Sequence, residues 1–251
     1  LFSGNPAAVC PLEEWLEDGK LQAIAAENNL SETAFFVGEG GRYELRWFTP
    51  TTEVDLCGHA TLASAFVIWN HLGDRSVQLS FQTRGGLLLA ERQDDLVSMS
   101  FPSLVPQPCQ SPSQLAKALG RAPGEVWFAG ESARSGNYLA VYGTEEEVRS
   151  LKPDLQLLGQ FEGVGFIATA PGESADFVSR YFAPAFGVPE DPVTGSTHCT
   201  LIPYWANRMG KTHLYALQVS ARGGELFCQH RKDKVVIAGR AVCYFAGTAY
   251  L

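Results

Sequence analysis

Arg46-Trp47-Phe48-Thr49-Pro50 returns later in the chain as Arg180-Tyr181-Phe182-Ala183-Pro184. The landmarks around it keep step. Glu53, Gly58 and Asn70 recur as Glu190, Gly195 and Asn207, each 137 positions on, and Arg84-Gly85-Gly86 recurs as Arg222-Gly223-Gly224, 138 positions on. The opening pair lies 134 apart, which puts a three-residue insertion between Pro184 and Glu190. Solenoid units repeat every ~20–50 residues, so a period this long marks two copies of one domain. Two like domains facing each other leave a cleft, a common place for a small-molecule site. Function then lies where the copies differ.

The bulk properties narrow the partners. The chain has 251 residues and a net charge of −8. Each half is long enough to bury its own core. The negative balance argues against nucleic acid and anionic membranes, which favour a basic face. No apolar run reaches the ~20 residues of a membrane span; the longest, from Ala60 to Trp69, is interrupted by Thr61 and Ser64. The six cysteines lie far apart with no C-x-x-C pair, which excludes a dense disulfide scaffold and gives no zinc spacing. Reduced thiols in a cytoplasmic protein are the expectation.

The local pattern predicts a helix over 13–28, strands over 33–37 and 43–48, a helix over 59–70, and strands near 77–83, 87–91 and 96–101. Pro102 to Pro112 reads as a linker. The second half repeats the scheme: short helical segments at 113–119 and 145–150, strands at 126–128, 138–142, 165–169 and 177–182, and a helix over 196–209 in which Pro203 predicts a kink or break. Strands at 217–220, 225–230, 235–239 and 241–245 close the chain. Small and aromatic residues on nearly every side of the two long helices predict burial all round. The expected fold class is α+β, with domains over 1–103 (completed by 241–251) and 104–240.

Each long helix opens on a glycine, in Cys57-Gly58-His59 and Thr194-Gly195-Ser196. A helix N-terminus has unpaired N–H groups and partial positive charge, which suits a carboxylate. One such turn is ordinary; two at matching places suggest a clamp for an anion. The copies diverge there: His59 faces Ser196, and Val54 faces Asp191. A carboxylate with a histidine is acid–base equipment, although Asp191-Pro192 also suits a plain turn. Glu32 stands at the mouth of an apolar strand, where partial desolvation favours the protonated acid; the matching place in copy two, three residues before Phe166, is Gly163. Taken alone, Glu32 has the profile of a surface glutamate. Cys57, before a helix start, is either a reactive thiol or a buried structural one, and its partner position holds Thr194, not a second thiol.

Gly4-Asn5-Pro6-Ala7-Ala8-Val9, Asn29-Leu30-Ser31-Glu32-Thr33, Arg46-Trp47-Phe48-Thr49-Pro50, Cys57-Gly58-His59-Ala60-Thr61 and Glu190-Asp191-Pro192-Val193-Thr194-Gly195-Ser196 together resemble the PhzF-like, phenazine-biosynthesis isomerase family, which shares the diaminopimelate-epimerase fold. The resemblance implies two pseudo-symmetric mixed β-barrels, each around a central helix, with the active site between them, and a homodimer. It implies that Glu32 is the acid/base, that His59, Asp191 and Ser196 line the pocket, and that N–H groups around Gly58, Thr194 and Gly195 hold the carboxylate of a small substrate, with no cofactor and no metal. Related epimerases use two cysteines, and this chain keeps only Cys57 near such a place. The expected activity is a cofactor-independent proton or double-bond shift. A racemase acting through Cys57 and a catalytically idle ligand-binding homologue are the alternatives.

Overall fold

The computed structural model describes residues 1–132 and 135–250. Contacts divide the chain into two units, Leu1–Met99 with the segment from Ala238 onward, and Ser100–Ile237. The class is α+β, with a large sheet and few helices.

In the first unit β1 (Ala7–Pro11) leads to α1 (Asp18–Asn28), β2 (Glu32–Glu39), β3 (Arg42–Phe48), β4 (Glu53–Val54), α2 (Gly58–Asn70), β5 (Gln78–Thr83) and β6 (Gly86–Gln93), and β7 (Leu96–Pro102) begins there. The strands run in the order β1-β2-β3-β5-β6-β7, and β4 pairs with β3. β1 lies parallel to β2 with Ala7 opposite Glu32, while β2 and β3 form an antiparallel hairpin. Its turn uses Gly40 and Gly41, both at positive φ, where a side chain is strained.

The helix expected from Glu13 starts only at Asp18. Leu12, Trp15 and Leu16 pack onto Leu21, Ala25, Phe35 and Phe48 without joining the helix. Trp15 is held instead by its indole N–H, which donates to Glu44 at 2.7 Å. Tertiary packing overrides the helical periodicity there.

In the second unit β8 (Gln107–Pro108), inside the expected linker, pairs with β9. α3 (Leu115–Leu119), β9 (Glu125–Ser132), β10 (Ser135–Val141), α4 (Glu145–Arg149), α5 (Leu155–Leu158), β11 (Val164–Pro171), β12 (Phe177–Ala183) and β13 (Val188–Asp191) follow. Then come α6 (Gly195–Met209), β14 (His213–Gln218), β15 (Gly224–Arg231) and β16 (Lys234–Gly239). The order is β16-β15-β14-β12-β11-β10-β9-β8, with β13 on β12. Pro203 does not break α6. Proline removes the N–H that would bond the carbonyl four residues back, and here Leu104 N–H donates to that Cys199 carbonyl at 2.9 Å. The orphan acceptor is satisfied and the helix continues.

Residues 197–206 of α6 are all buried, so its polar groups need partners. Trp205 donates to Thr169 Oγ1 at 3.0 Å, and Thr169 donates on to the Val178 carbonyl at 2.6 Å. Burial of α2 is less complete than expected: Leu62, Ala63, Phe66 and Val67 are half-buried. The strand expected at 241–245 is absent; residues 240–250 have no regular structure. Val242, Tyr244 and Phe245 are exposed, and an apolar run without a ladder partner does not make a strand.

The repeated arginines do the same work in both copies. Arg46 grips Glu53 through Nε and Nη2 at 2.7 and 2.9 Å, and Arg180 grips Glu190 at the same distances. Each guanidinium lies over the aromatic ring two residues on, Phe48 at 5.1 Å and Phe182 at 4.9 Å. Arg180 also donates to the carbonyls of Val148, Arg149 and Leu151. Its removal strands one carboxylate and takes a donor from three carbonyls. Arg180→Leu is expected to lower stability by about 3 kcal/mol. Arg84→Ala, which removes an exposed partner of Glu53, is expected to cost less than about 1 kcal/mol. Urea denaturation of the two variants measures the contrast; equal losses would contradict it.

Candidate active site

Glu32 is the first residue of β2 and His59 the second of α2, and the fold brings them together. Glu32 Oε2 lies 3.2 Å from His59 Nε2, with both side chains about four-fifths covered. The contact is not an ion pair of the ordinary kind. Desolvation pushes the His59 pKa down to about 4, against a raising influence from its bond to the Pro6 carbonyl, so the ring is neutral near pH 7. Among the described residues Nε2 makes no aligned hydrogen bond. Nε2 is left within reach of the Glu32 carboxyl group, a loose alignment common in free enzymes.

Cys57 is buried as the residue preceding α2, with Sγ 3.5 Å from His59 Nδ1. Donor atoms of Glu32, Cys57 and His59 lie within 4.8 Å of one another. The ring, however, turns Nε2 to Glu32 and Nδ1 to Cys57, and the two nitrogen directions diverge.

In the second unit Asp191 and Thr194 come together. The Thr194 hydroxyl donates to Asp191 Oδ2. Gln218 Nε2 donates to Thr194 Oγ1 at 3.2 Å and to the Asp191 carbonyl at 2.8 Å, while its Oε1 accepts the Thr194 N–H at 2.8 Å. The chain of donors runs one way, Gln218 to Thr194 to Asp191, and it ends on a carboxylate oxygen. His198, fully buried, bonds the Thr194 carbonyl through Nδ1 at 2.7 Å. Desolvation holds its pKa down to about 4, with the Thr194 bond opposing.

Neither Cys57 nor Thr194 caps its helix with a side chain; the threonine hydroxyl is committed to Asp191. Gly58 is half-buried, Gly195 is half-buried and Ser196 is exposed. Both helix starts therefore keep the chemistry of an anion site.

Strand register corrects one expectation. Thr33 pairs with Phe48 and Ala34 with Trp47, while Phe166 pairs with Phe182 and Ile167 with Tyr181. The counterpart of Glu32 is accordingly Gly165, not Gly163. The same ladders match Ala7 with Asn137 and Val54 with Asp191. Sequence reasoning missed Gln218, His198 and Pro6. Gln218 had a signal: it falls on the inward face of β14 after Leu214 and Ala216, all three buried, where a polar residue needs a reason.

Comparison with known proteins shows the family. The model of the PhzC-PhzF family, the phenazine biosynthesis-like proteins, matches residues 1–247. An uncharacterized isomerase of Pseudomonas aeruginosa is 52% identical over 250 residues, covering 100% of this chain and 94% of its own. A second from that organism is 48% identical over 246 residues, covering 98% and 92%. A crystal structure of a PhzF-family phenazine biosynthesis protein from Enterococcus faecalis superposes with a TM-score of 0.95 at 45% identity, covering 100% and 95%. The chain belongs to the phenazine biosynthesis-like family, and within it stands with the isomerases. No helix among the described residues is long and apolar enough to cross a membrane.

The two buried histidines make stability depend on pH. Both hold folded-state values near 4, below the ~6.5 of a free histidine. Between those values the unfolded chain binds more protons, so stability falls as pH drops from ~6.5 to ~4. Thermal midpoints across that range should show the fall, and it should be shallower in His198→Gln. An identical slope in the variant would exclude this role for His198.

Proposed function

We propose that the protein is a cofactor-independent isomerase that moves a proton, and with it a double bond, within a small carboxylate-bearing substrate, using Glu32 as its one acid/base. The observation that carries the reading is the Glu32–His59 contact, in which a neutral imidazole turns Nε2 toward the carboxyl group. The Glu32 carboxylate takes the proton from one carbon, the electron pair moves along the skeleton, and the acid returns the proton to another carbon on the same face. Nothing is oxidised or reduced. His59 holds the acid's proton between the two transfers, and Asp191 lines the pocket.

The proposal includes the family architecture: two pseudo-symmetric mixed barrels, each around its long helix, with the site in the cleft between them and a homodimer as the assembly. N–H groups at Gly58 and at Gly195 and Ser196 hold the substrate carboxylate, each helix start contributing ~0.3–1 kcal/mol. Inverting a stereocentre needs a base on each face. The register counterpart of Glu32 is Gly165, which supports one base and a one-face shift. The partner position of Cys57 is Thr194, which leaves a thiol epimerase without its second thiol.

Glu32→Gln keeps shape but cannot exchange a proton. It should bind ligand normally and lose turnover by ~10²–10⁴-fold, and solvent deuterium should enter one carbon of the product only in the parent. Cys57→Ala should retain most activity. A dead Cys57→Ala with an active Glu32→Gln would make the protein a thiol epimerase.

A further inference from the structure

Three positions change together between the copies. Val54, Cys57 and Thr83 of the first correspond to Asp191, Thr194 and Gln218 of the second. Strand register gives the first pair, and the repeat of 137 positions gives the second. The third follows because Thr83 pairs with Gly86 and Gln218 with Gly224, the matching glycine of the repeat. In copy one the residues serve separate partners: the Thr83 hydroxyl donates to the Gly86 carbonyl at 2.7 Å, and the Cys57 sulfur lies beside the His59 ring. In copy two the three new residues bond one another. A carboxylate entered that copy together with the groups that hold it.

The direction of those bonds is fixed. Gln218 and Thr194 are buried, and a backbone N–H can only donate, so the Thr194 N–H at 2.8 Å decides which end of the Gln218 amide is oxygen. The amide nitrogen is thereby turned to the Asp191 carbonyl and the Thr194 hydroxyl oxygen. With that oxygen accepting from Gln218, its one hydrogen goes to Asp191 Oδ2. The Thr194 carbonyl takes bonds from Thr197 Oγ1 at 2.9 Å and His198 Nδ1 at 2.7 Å. Every polar atom of Thr194 therefore has a partner, and its hydroxyl is not free to turn away. A donor held on a carboxylate oxygen favours the ionised form. Around the carboxylate, the Tyr181 phenol is pushed up to about 12, by burial first and the charge of Asp191 second, and stays protonated. Glu190 is taken by Arg180, and His198 is neutral.

We propose that Gln218 and Thr194 are positioning residues for the reaction: they hold Asp191 as a fixed, ionised acceptor, which keeps the acid of the second unit out of the proton exchange and leaves that exchange to Glu32. The assignment rests on the proposed function, in which Glu32 is the one acid/base and Asp191 lines the pocket. It deepens that reading by saying why a second carboxylate there does not compete. A protonated second acid would supply a proton of its own, and the shift would no longer run between two carbons through one group.

Carbon-13 NMR of protein labelled at the aspartate carboxyl carbons tests the assignment, with the Asp191 resonance identified by its loss in Asp191→Asn. Thr194→Val keeps the shape and loses the hydroxyl; Gln218→Met keeps the length and loses the amide. Each should make Asp191 hold its proton about tenfold more tightly, a midpoint about one pH unit higher. Thr194→Ser restores the donor and should keep the midpoint of the parent. Residues that only supported the fold would lower the melting temperature and leave the titration unmoved. Melting curves check that the variants are folded, and Thr194→Val with Thr194→Ser decides alone if Gln218→Met is not. An unmoved Asp191 midpoint in a folded Thr194→Val or Gln218→Met overturns the assignment and leaves the Glu32 reading standing, since the titration needs no substrate. An active Glu32→Gln overturns the one-acid reading, and with it the task given to the network, whatever the titration shows.

Discussion

The contact between Glu32 Oε2 and His59 Nε2 is the constraint on which the first helix start depends. Three elements fix it. The carbonyl of Pro6, just before β1, bonds the His59 ring; the parallel register of β1 and β2 puts Ala7 beside Glu32; and α2 begins one residue before His59. A shift of β1 by one residue would carry its side chains to the other face and move the carbonyl that bonds the ring. The Arg46–Glu53 grip holds β3 against the β4 strand that leads into α2. The scaffold and the Glu32–His59 pair are thus connected through short backbone paths.

The two copies separate scaffold from chemistry. Arg46 with Glu53 and Arg180 with Glu190 are alike down to their bond lengths, despite the three extra residues in the second copy. A bidentate guanidinium–carboxylate pair needs both groups in one plane, so drift at either end is penalised. The site residues carry no such mutual restraint. Glu32 became Gly165 and Val54 became Asp191 without disturbing the ladders, and Gln218 supplies the support Asp191 needs through Thr194.

Much of this was legible in the sequence because repeats and glycines are punctuation. The repeated Arg-aromatic-Phe string predicted paired strands, and the glycine-led turns predicted both long helices to within a residue of Gly58 and Gly195. Glu32 and His59 were legible as candidates, but their 3.2 Å separation was not, since it depends on the β1–β2 register. Register also explains the misplaced counterpart: counting back from Phe166 gave Gly163, whereas the hydrogen-bond ladder gives Gly165. The helix through Pro203 was misread because the rescue of the Cys199 carbonyl comes from Leu104, 95 positions away. The tail shows the opposite error, since the strand expected at 241–245 has no ladder.

Under the proposed mechanism the neutrality of His59 has a chemical purpose. A protonated imidazolium 3.2 Å from Glu32 would favour the ionised carboxylate, and a carboxylate so stabilised is a weaker base toward carbon. A neutral ring avoids this. In that mechanism the ring gives its one N–H to Pro6 and presents a lone pair to the acid, which holds the proton of neutral Glu32 until the second carbon is in place. Desolvation supplies the condition, since a buried ring resists the second proton down to about pH 4. The same burial that costs stability in mild acid therefore keeps the glutamate a base that can also serve as an acid, which is what a single-residue proton shift requires.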